Sequence, residues 1–344
     1  MQKQDPVERL KQIQQREAAK GQTEGHPGIV SPIRQRMIRR SVEIRARPPV
    51  PDDLLYQHTV LCQTVLPFRD PGPDVRIWER EQGNIRLYIE AGKIYDRATD
   101  KLQQLGLPFG STARLILYYL NTEALRSGSP TIEVQGSMTA FVARLQGRPP
   151  TGPEIRKFKD QLMRLSAALV RLISIQDNYT AQVDTKIISA FDLWKDKDDG
   201  QPLVFSSLIK LGAEYFKSLQ EHAVPLDERA VSALAHSSMA LDVYCWLAQR
   251  LHRVDPVHGQ FLAWTNVYEQ FGQGYERIRD FRRVFLDVLN LVKAQYPAAR
   301  FGVNKTGMIL GNSPPPVPGR ILVIGSRPLP AALQPLTSPE SPKP

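Results

Sequence analysis

Apolar residues in this chain recur at three- and four-residue steps in several long stretches and alternate with polar ones in short stretches. The first strong helical stretch follows Gly110-Ser111: Ala113, Leu115, Ile116, Leu117, Leu120 and Ala124 share a face, and Gly128 and Pro130 end it. A short strand over 131–134 comes next, then a helix over 138–145 capped by Ser137 with Phe141 and Leu145 inward. Pro153 suits a first helical turn and opens EIRKFKDQLMRLSAAL, whose buried stripe is Ile155, Phe158, Leu162 and Leu165. Residues 169–175 and 182–191 then alternate around Asp177-Asn178, which predicts a hairpin.

The same series runs a second time. A helix over 239–252 places Leu241, Tyr244, Cys245 and Leu251 in a core; a strand over 261–263 follows, and Thr265 caps a helix over 266–271. After a turn at 272–274, a long helix over 275–296 buries Ile278, Phe281, Phe285, Val288 and Val292 and stops at Pro297. Strands at 301–303 and 308–310 close a second hairpin around 304–307. Helix, strand, two helices and a hairpin is the order of a winged helix, a helix-turn-helix variant whose third helix enters a DNA major groove. The repeat is one of pattern and not of residue identity. The expected fold class is therefore α+β: two tandem winged-helix domains, 53–194 and 201–312, joined by a charged linker at 195–200.

Weaker patterns complete the outline. Residues 53–66 read as a helix capped by Asp52, 75–78 and 85–89 as strands, 95–105 as a helix or loop, 203–210 as a strand, and Asp227 or its neighbour as the start of a helical turn. Residues 1–52 are polar and read as a flexible arm. Its basic run, Arg34, Arg36, Arg39, Arg40, Arg45 and Arg47, can lie on phosphates, or it can be a solvated tail. The proline-rich stretch 313–344 reads as a disordered tail with an isolated strand at 321–325.

Composition narrows the partner. The 344 residues carry a formal net charge of +10, which favours an acidic polymer. Only two cysteines, Cys62 and Cys245, are present, in apolar helix-like surroundings, so neither a disulfide framework nor a zinc site is expected. Without an apolar leader or a membrane-length apolar run, the expectation is a soluble cytoplasmic protein.

Candidate chemistry lies on the two third helices. Removing the core stripe leaves Arg156, Lys157, Lys159, Gln161 and Arg164 on the first, and Arg277, Arg279, Arg282 and Arg283 on the second. Arg can pair with guanine O6 and N7 and Gln can read adenine, while neighbouring cations hold phosphates. Lys305 at one wing tip, with Arg171 or Lys186 along the other, can add backbone contacts. A single basic helix is more often a solvated face; two in matched positions favour DNA. His236, His252 and His258 lack companion ligands, and Trp194, Trp246, Trp264 and Tyr268 read as packing. There is no phosphate-binding GxxxxGK loop followed by Ser or Thr, no His-apolar-His pair beside a nicking tyrosine, and no acidic cluster for two metals. No enzyme activity, metal or cofactor is expected.

Three stretches carry a family resemblance: LPFGSTARLILYYLNTEALRSGSPTIEV (107–134), ISAFDLW (188–194) and EHAVPLDERAVSALAHSSMALDVYCWLAQRLHRVDP (221–256), continuing through GYERIRDFRRVF (274–285). The chain resembles the plasmid-encoded RepA replication initiators over roughly 54–316. That resemblance implies a cytoplasmic protein with tandem winged helices that binds repeated sites (iterons) at a plasmid origin, helps to open it and recruits host replication proteins. It also implies a homodimeric form in copy control. By position it places 156–164 and 277–283 on the recognition helices and transfers no individual contact. A transcriptional repressor shares these features, and a winged-helix protein–protein adaptor differs in lacking salt-dependent DNA affinity.

Overall fold

The computed structural model describes residues 31–96, 99–133, 137–176, 179–191 and 208–319. The expected turn at Asp177-Asn178, the linker at 195–200, Trp194, residues 1–30, the strand at 321–325 and the tail beyond 319 lie outside the described residues.

Helix α1 (Pro32–Ala46) forms within what the sequence suggests is an arm. Ser31 accepts a hydrogen bond from the Arg34 amide, and Pro32 occupies the first turn. Its inward side is narrow, with Met37 and Ile44 half-buried on either side of the buried Ser41. A contact face this small, among five arginines, leaves almost no apolar period to read.

The predicted helix over 53–66 is instead strand β1 (Leu54–His58) followed by a single helical turn, α2 (Thr59–Gln63). Every residue of β1 is buried, so its run of apolar residues carries no period to decide between helix and strand. Strands β2 (Ile77–Gln82) and β3 (Ile85–Glu90) are close to expectation and turn at Gly83, whose φ of +55° favours glycine. Strands β4 (Lys93–Asp96) and β5 (Lys101–Gln104) form an antiparallel hairpin where a helix or loop was expected. The side chains of β5 are all exposed and so show no period.

Helix α3 (Gly110–Ser127) ends at Gly128 in the left-handed conformation, φ +65°. Strand β6 (Thr131–Glu133), α4 (Ser137–Gln146) and α5 (Gly152–Ala167) follow as expected. The expected wing differs. Strands β7 (Leu169–Gln176) and β8 (Tyr179–Thr185) pair as a hairpin, but β7 also pairs with β3. The result is a four-stranded sheet in the order β2-β3-β7-β8. Leu87 faces Leu172 and Ile89 faces Val170, all buried, so the apolar faces of two distant hairpins zip together. The expected second arm, 182–191, breaks after Thr185, and β9 (Ile188–Phe191) departs for another sheet.

Strand β10 (Leu208–Leu211), which follows the expected linker, is the centre of that sheet, in the order β6-β10-β9. Helix α6 (Ala213–His222) leads to β11 (Ala223–Asp227), which pairs antiparallel with β1, and then to α7 (Glu228–Leu234), on which α1 packs. Arg229 donates to the carbonyls of Glu43 and Arg47 and so closes the C-terminal end of α1, while Asp227 holds the guanidinium at 2.7 Å.

The second unit keeps the expected order: α8 (Ser238–Arg250) capped by Ser237, β12 (Gln260–Ala263), α9 (Trp264–Phe271), α10 (Ile278–Gln295), β13 (Arg300–Val303) and β14 (Gly307–Gly311). Strand β14 lies between β12 and β13. Two local expectations are corrected. Helix α9 starts at Trp264 with Ala263 in the cap position, and the Thr265 hydroxyl donates to Asn266 instead. Ile278 is 39% exposed, because α10 begins at it, three residues later than predicted, and the core stripe starts only at Phe281. Trp246, Phe271, Phe281 and Phe285 pack ring against ring at 5.1–5.5 Å behind that stripe.

The first helices of the two units meet through buried polar groups. Arg114 and Asp242, each the fifth residue of its helix, pair at 2.5 Å. Arg114 also donates to the carbonyls of Leu66, Pro67 and Gly110, so all five of its donors are used. One turn further on, the Tyr118 hydroxyl lies 3.1 Å from Cys245, and both cysteines are buried free thiols as expected. Burial pushes the Asp242 carboxyl up, against the pull of Arg114. Replacing Asp242 by Ala leaves an unpaired buried guanidinium and should cost about 3–5 kcal/mol in denaturant unfolding, whereas a double Arg114→Leu, Asp242→Leu variant should lose much less. Equal losses in the two would contradict a desolvated pair.

Candidate nucleic-acid interface

Thr151 and Glu154 form a capping box at the start of α5, and Glu154 also pairs with Arg148 at 2.7 Å. Phe158, Leu162 and Leu165 are buried as expected, whereas Ile155, in the first turn, is only half-buried. Arg156 and Lys157 are exposed on the outward side, and Lys159 is partly exposed. The other two residues assigned to this face point elsewhere. Gln161 has no exposed surface; its side-chain oxygen accepts from the Phe109 amide at 2.8 Å and its NH2 donates to Asp160. It lies three residues after Phe158 and four before Leu165, on the core track itself. Arg164 pairs with Asp160 and Asp70, donates to the Leu107 carbonyl and lies 5.0 Å over the Phe109 ring. Both residues therefore fasten the 106–110 segment to α5.

On α10, Arg277 and Arg283 are exposed, and the Arg279 side chain is 83% exposed with Asp280 at 3.9 Å. Arg279 and Arg283 are four residues apart and so share a face. Arg282 is turned along the helix. It donates to the carbonyls of Asn304 at 3.0 Å and Lys305 at 3.3 Å, and lies 4.9 Å over the Trp264 ring. The hairpin tip is itself built by Asn304, whose side-chain oxygen accepts from the amides of Thr306 and Gly307. Lys305 is thereby held exposed at the tip beside α10, with Arg282 as the residue that positions it. On the other hairpin Arg171 is paired with Asp184 at 2.5 Å, while Lys186 is exposed.

The two helices have one neighbouring residue in common. His236 lines a groove with Lys157 and Phe158 of α5, and also a groove with Val284 and Val288 of α10. Among the described residues, no three or more His, Cys, Asp or Glu side chains gather as a metal site, and no helix is long and apolar enough to cross a membrane. Trp246 and Trp264 are buried in the core.

The arrangement defines a mixed helix-and-sheet protein that displays a basic helix from each of two helix–strand–helix–helix units. Residues 107–269 match the family described as plasmid encoded RepA protein, which bears out the resemblance over α3 to α9. No curated protein matches the chain at a significant level. Among solved structures, a crystal structure of RctB domains 2–3 is similar with a TM-score of 0.46 at 9% identity, over 74% of this chain and 96% of that one. A crystal structure of selenomethionine derivatives of RctB domains 2 and 3 is similar with a TM-score of 0.42 at 10% identity, over 68% and 84%.

The cap of α5 is sensitive to acid. The Arg148 guanidinium and the Thr151 amide hold the Glu154 carboxyl down to about 2, from an ordinary 4.5. A carboxyl depressed by folding stabilises fully above its unfolded value and loses that contribution as pH falls from about 4.5 toward 2. The pair is solvent-screened, so Glu154→Gln should cost about 0.5–1 kcal/mol at neutral pH, and the difference in unfolding free energy should shrink as pH falls from 5 toward about 3. A difference independent of pH would contradict the cap.

Proposed function

We propose that this chain is a plasmid replication initiator. It binds repeated duplex sites at an origin through α5 and α10, promotes opening of adjacent DNA and engages host replication proteins in the cytoplasm. A homodimeric form serves copy control. The observation that supports this reading best is the pairing of two exposed basic helices, one in each matched unit, within a RepA-like chain. The amino-terminal residues of a recognition helix meet base edges, and Arg279 and Arg283 occupy that part of α10. Arg156 and Lys157 occupy the corresponding turn of α5.

The mechanism has no covalent step. Binding energy from phosphate and base contacts bends the duplex and biases an easily unstacked neighbour toward melting. Several bound copies on successive repeats add their effects. The buried Arg114–Asp242 contact fixes how the two units sit, so the two helices reach the DNA as one body and little ordering cost remains at binding.

Replacing Arg279 and Arg283 together by Ala should weaken binding to the origin repeats by about a hundredfold or more, since one good Arg–guanine contact is worth about 1–3 kcal/mol. Affinity for scrambled duplex should fall far less, and the melting temperature should be kept. Unchanged discrimination between origin and scrambled DNA in a gel-shift titration would remove α10 as a reading helix.

A further inference from the structure

Helix α1 brings its arginines against the turn that precedes α5. There, a notch of 260 Å³ is lined by Arg36, Arg148, Lys157, His236, Ser111 and Thr112, among others. Glu154 also lines it and neutralises Arg148, which leaves Arg36 and Lys157 as its uncompensated cations. Arg36 donates one bond to the Gln146 carbonyl at 3.3 Å, and its Nε is buried with no hydrogen-bond partner among the described residues. Arg39 stands at the edge of the notch: a Cβ on Gly147, between the lining residues Gln146 and Arg148, would lie 3.4 Å from its guanidinium.

The nearby carboxylates are taken up by other arginines than Arg36. Glu43 pairs with Arg40 at 2.8 Å and Arg47 at 3.4 Å. Glu154 pairs with Arg148 and caps α5. Arg36 is left half-buried, and its pKa is lowered by that burial and by the charges of Arg148, Arg40 and Arg39. The contrast with Arg114, whose donors are all used, is instructive. Like charges crowded in a partly desolvated notch oppose folding, and a bound anion would relieve them.

We propose that this notch holds one backbone phosphate of the bound duplex, gripped by Arg36, Arg39 and Lys157, so that α1 is a DNA-contacting helix that sets the register of α5. The inference rests on the DNA-binding reading and deepens it. A phosphodiester fits better than a free small anion because Lys157 and Arg156 continue the positive surface from the notch onto the exposed side of α5. Groups that hold phosphates fix register and carry no sequence preference.

The test uses the full chain, titrated with origin duplex and scrambled duplex over a potassium chloride series. Arg39→Gln is the primary variant, since Arg39 is exposed and makes no hydrogen bond or ion pair among the described residues. Loss of one phosphate contact should weaken binding to both duplexes equally, by roughly fivefold near 0.15 M salt, and reduce the slope of log K against log salt by about 0.9. Arg36→Gln should do the same, and Arg36→Lys should restore most of it. Slopes unchanged in Arg39→Gln and Arg36→Gln, while the unaltered chain binds with a steep slope, would overturn the notch alone. Failure of the unaltered chain to bind either duplex would overturn the notch and the DNA-binding reading together. If 50 mM inorganic phosphate raises the melting temperature of the unaltered chain and of Arg39→Gln equally, the grip by Arg39 is also refuted.

Discussion

The first helices of the two units are joined by a buried ion pair between Arg114 and Asp242, and the placement of the outward helices starts from it. Each belongs to the first helix of its unit and stands at the same step along it. Burying two charges is costly, and the attraction between them repays that cost only when every remaining donor is also bonded. Arg114 meets the condition by binding the carbonyls of Leu66, Pro67 and Gly110 as well. The pair therefore adds little net stability over an apolar contact of the same shape, while losing one partner alone is costly. An apolar contact between α3 and α8 could slide by a residue, whereas this one cannot slide without leaving a charge unpaired. The Phe68 ring over Arg114 and the Ser238 hydroxyl on the Phe68 carbonyl extend the same joint.

Strand pairing supports that joint from outside. Strand β1 pairs with β11, and β10 sits between β6 and β9, so segments from beyond the expected linker complete sheets begun before it. Helix α1 is held through its backbone carbonyls by segments that follow the linker, with Gln295 of α10 donating to Met37 and Arg229 of α7 donating to Glu43 and Arg47. These bonds use main-chain acceptors and tolerate many side chains on the far side of α1. That side is accordingly free to be basic. The same division of labour recurs on α5 and α10, where Gln161, Arg164 and Arg282 hold neighbouring segments while Arg156, Lys157, Arg279 and Arg283 face outward.

The long helices α3, α5, α8 and α10 were legible because each carries a sustained apolar period with a cap or a breaker at its ends. The order of the second unit was legible for the same reason, and the RepA resemblance for its long shared blocks. What escaped had a common physical cause. Strand β1 is buried on every side, and its partner lies more than 160 residues away, so no local pattern marks it. Helix α1 gains its place from carbonyl contacts and a single small buried serine, which hydropathy cannot register. On the candidate interface, position in the helix outweighed residue type. Gln161 lies on the core track at i+3 from Phe158 and was recoverable from spacing, whereas the turning of Arg282 onto the 304–305 carbonyls depends on a hairpin brought in from later in the chain.

Under the proposed function, two units joined at this buried pair present two basic helices to a single duplex. The most direct test is a footprint of the purified chain on origin repeats and on scrambled DNA across a salt series. The expected result is protection of evenly spaced repeats about two helical turns apart, each covering two successive major grooves on one face, and lost steeply as salt rises. Protection of one major groove per bound chain, or equal affinity for scrambled DNA, would contradict it.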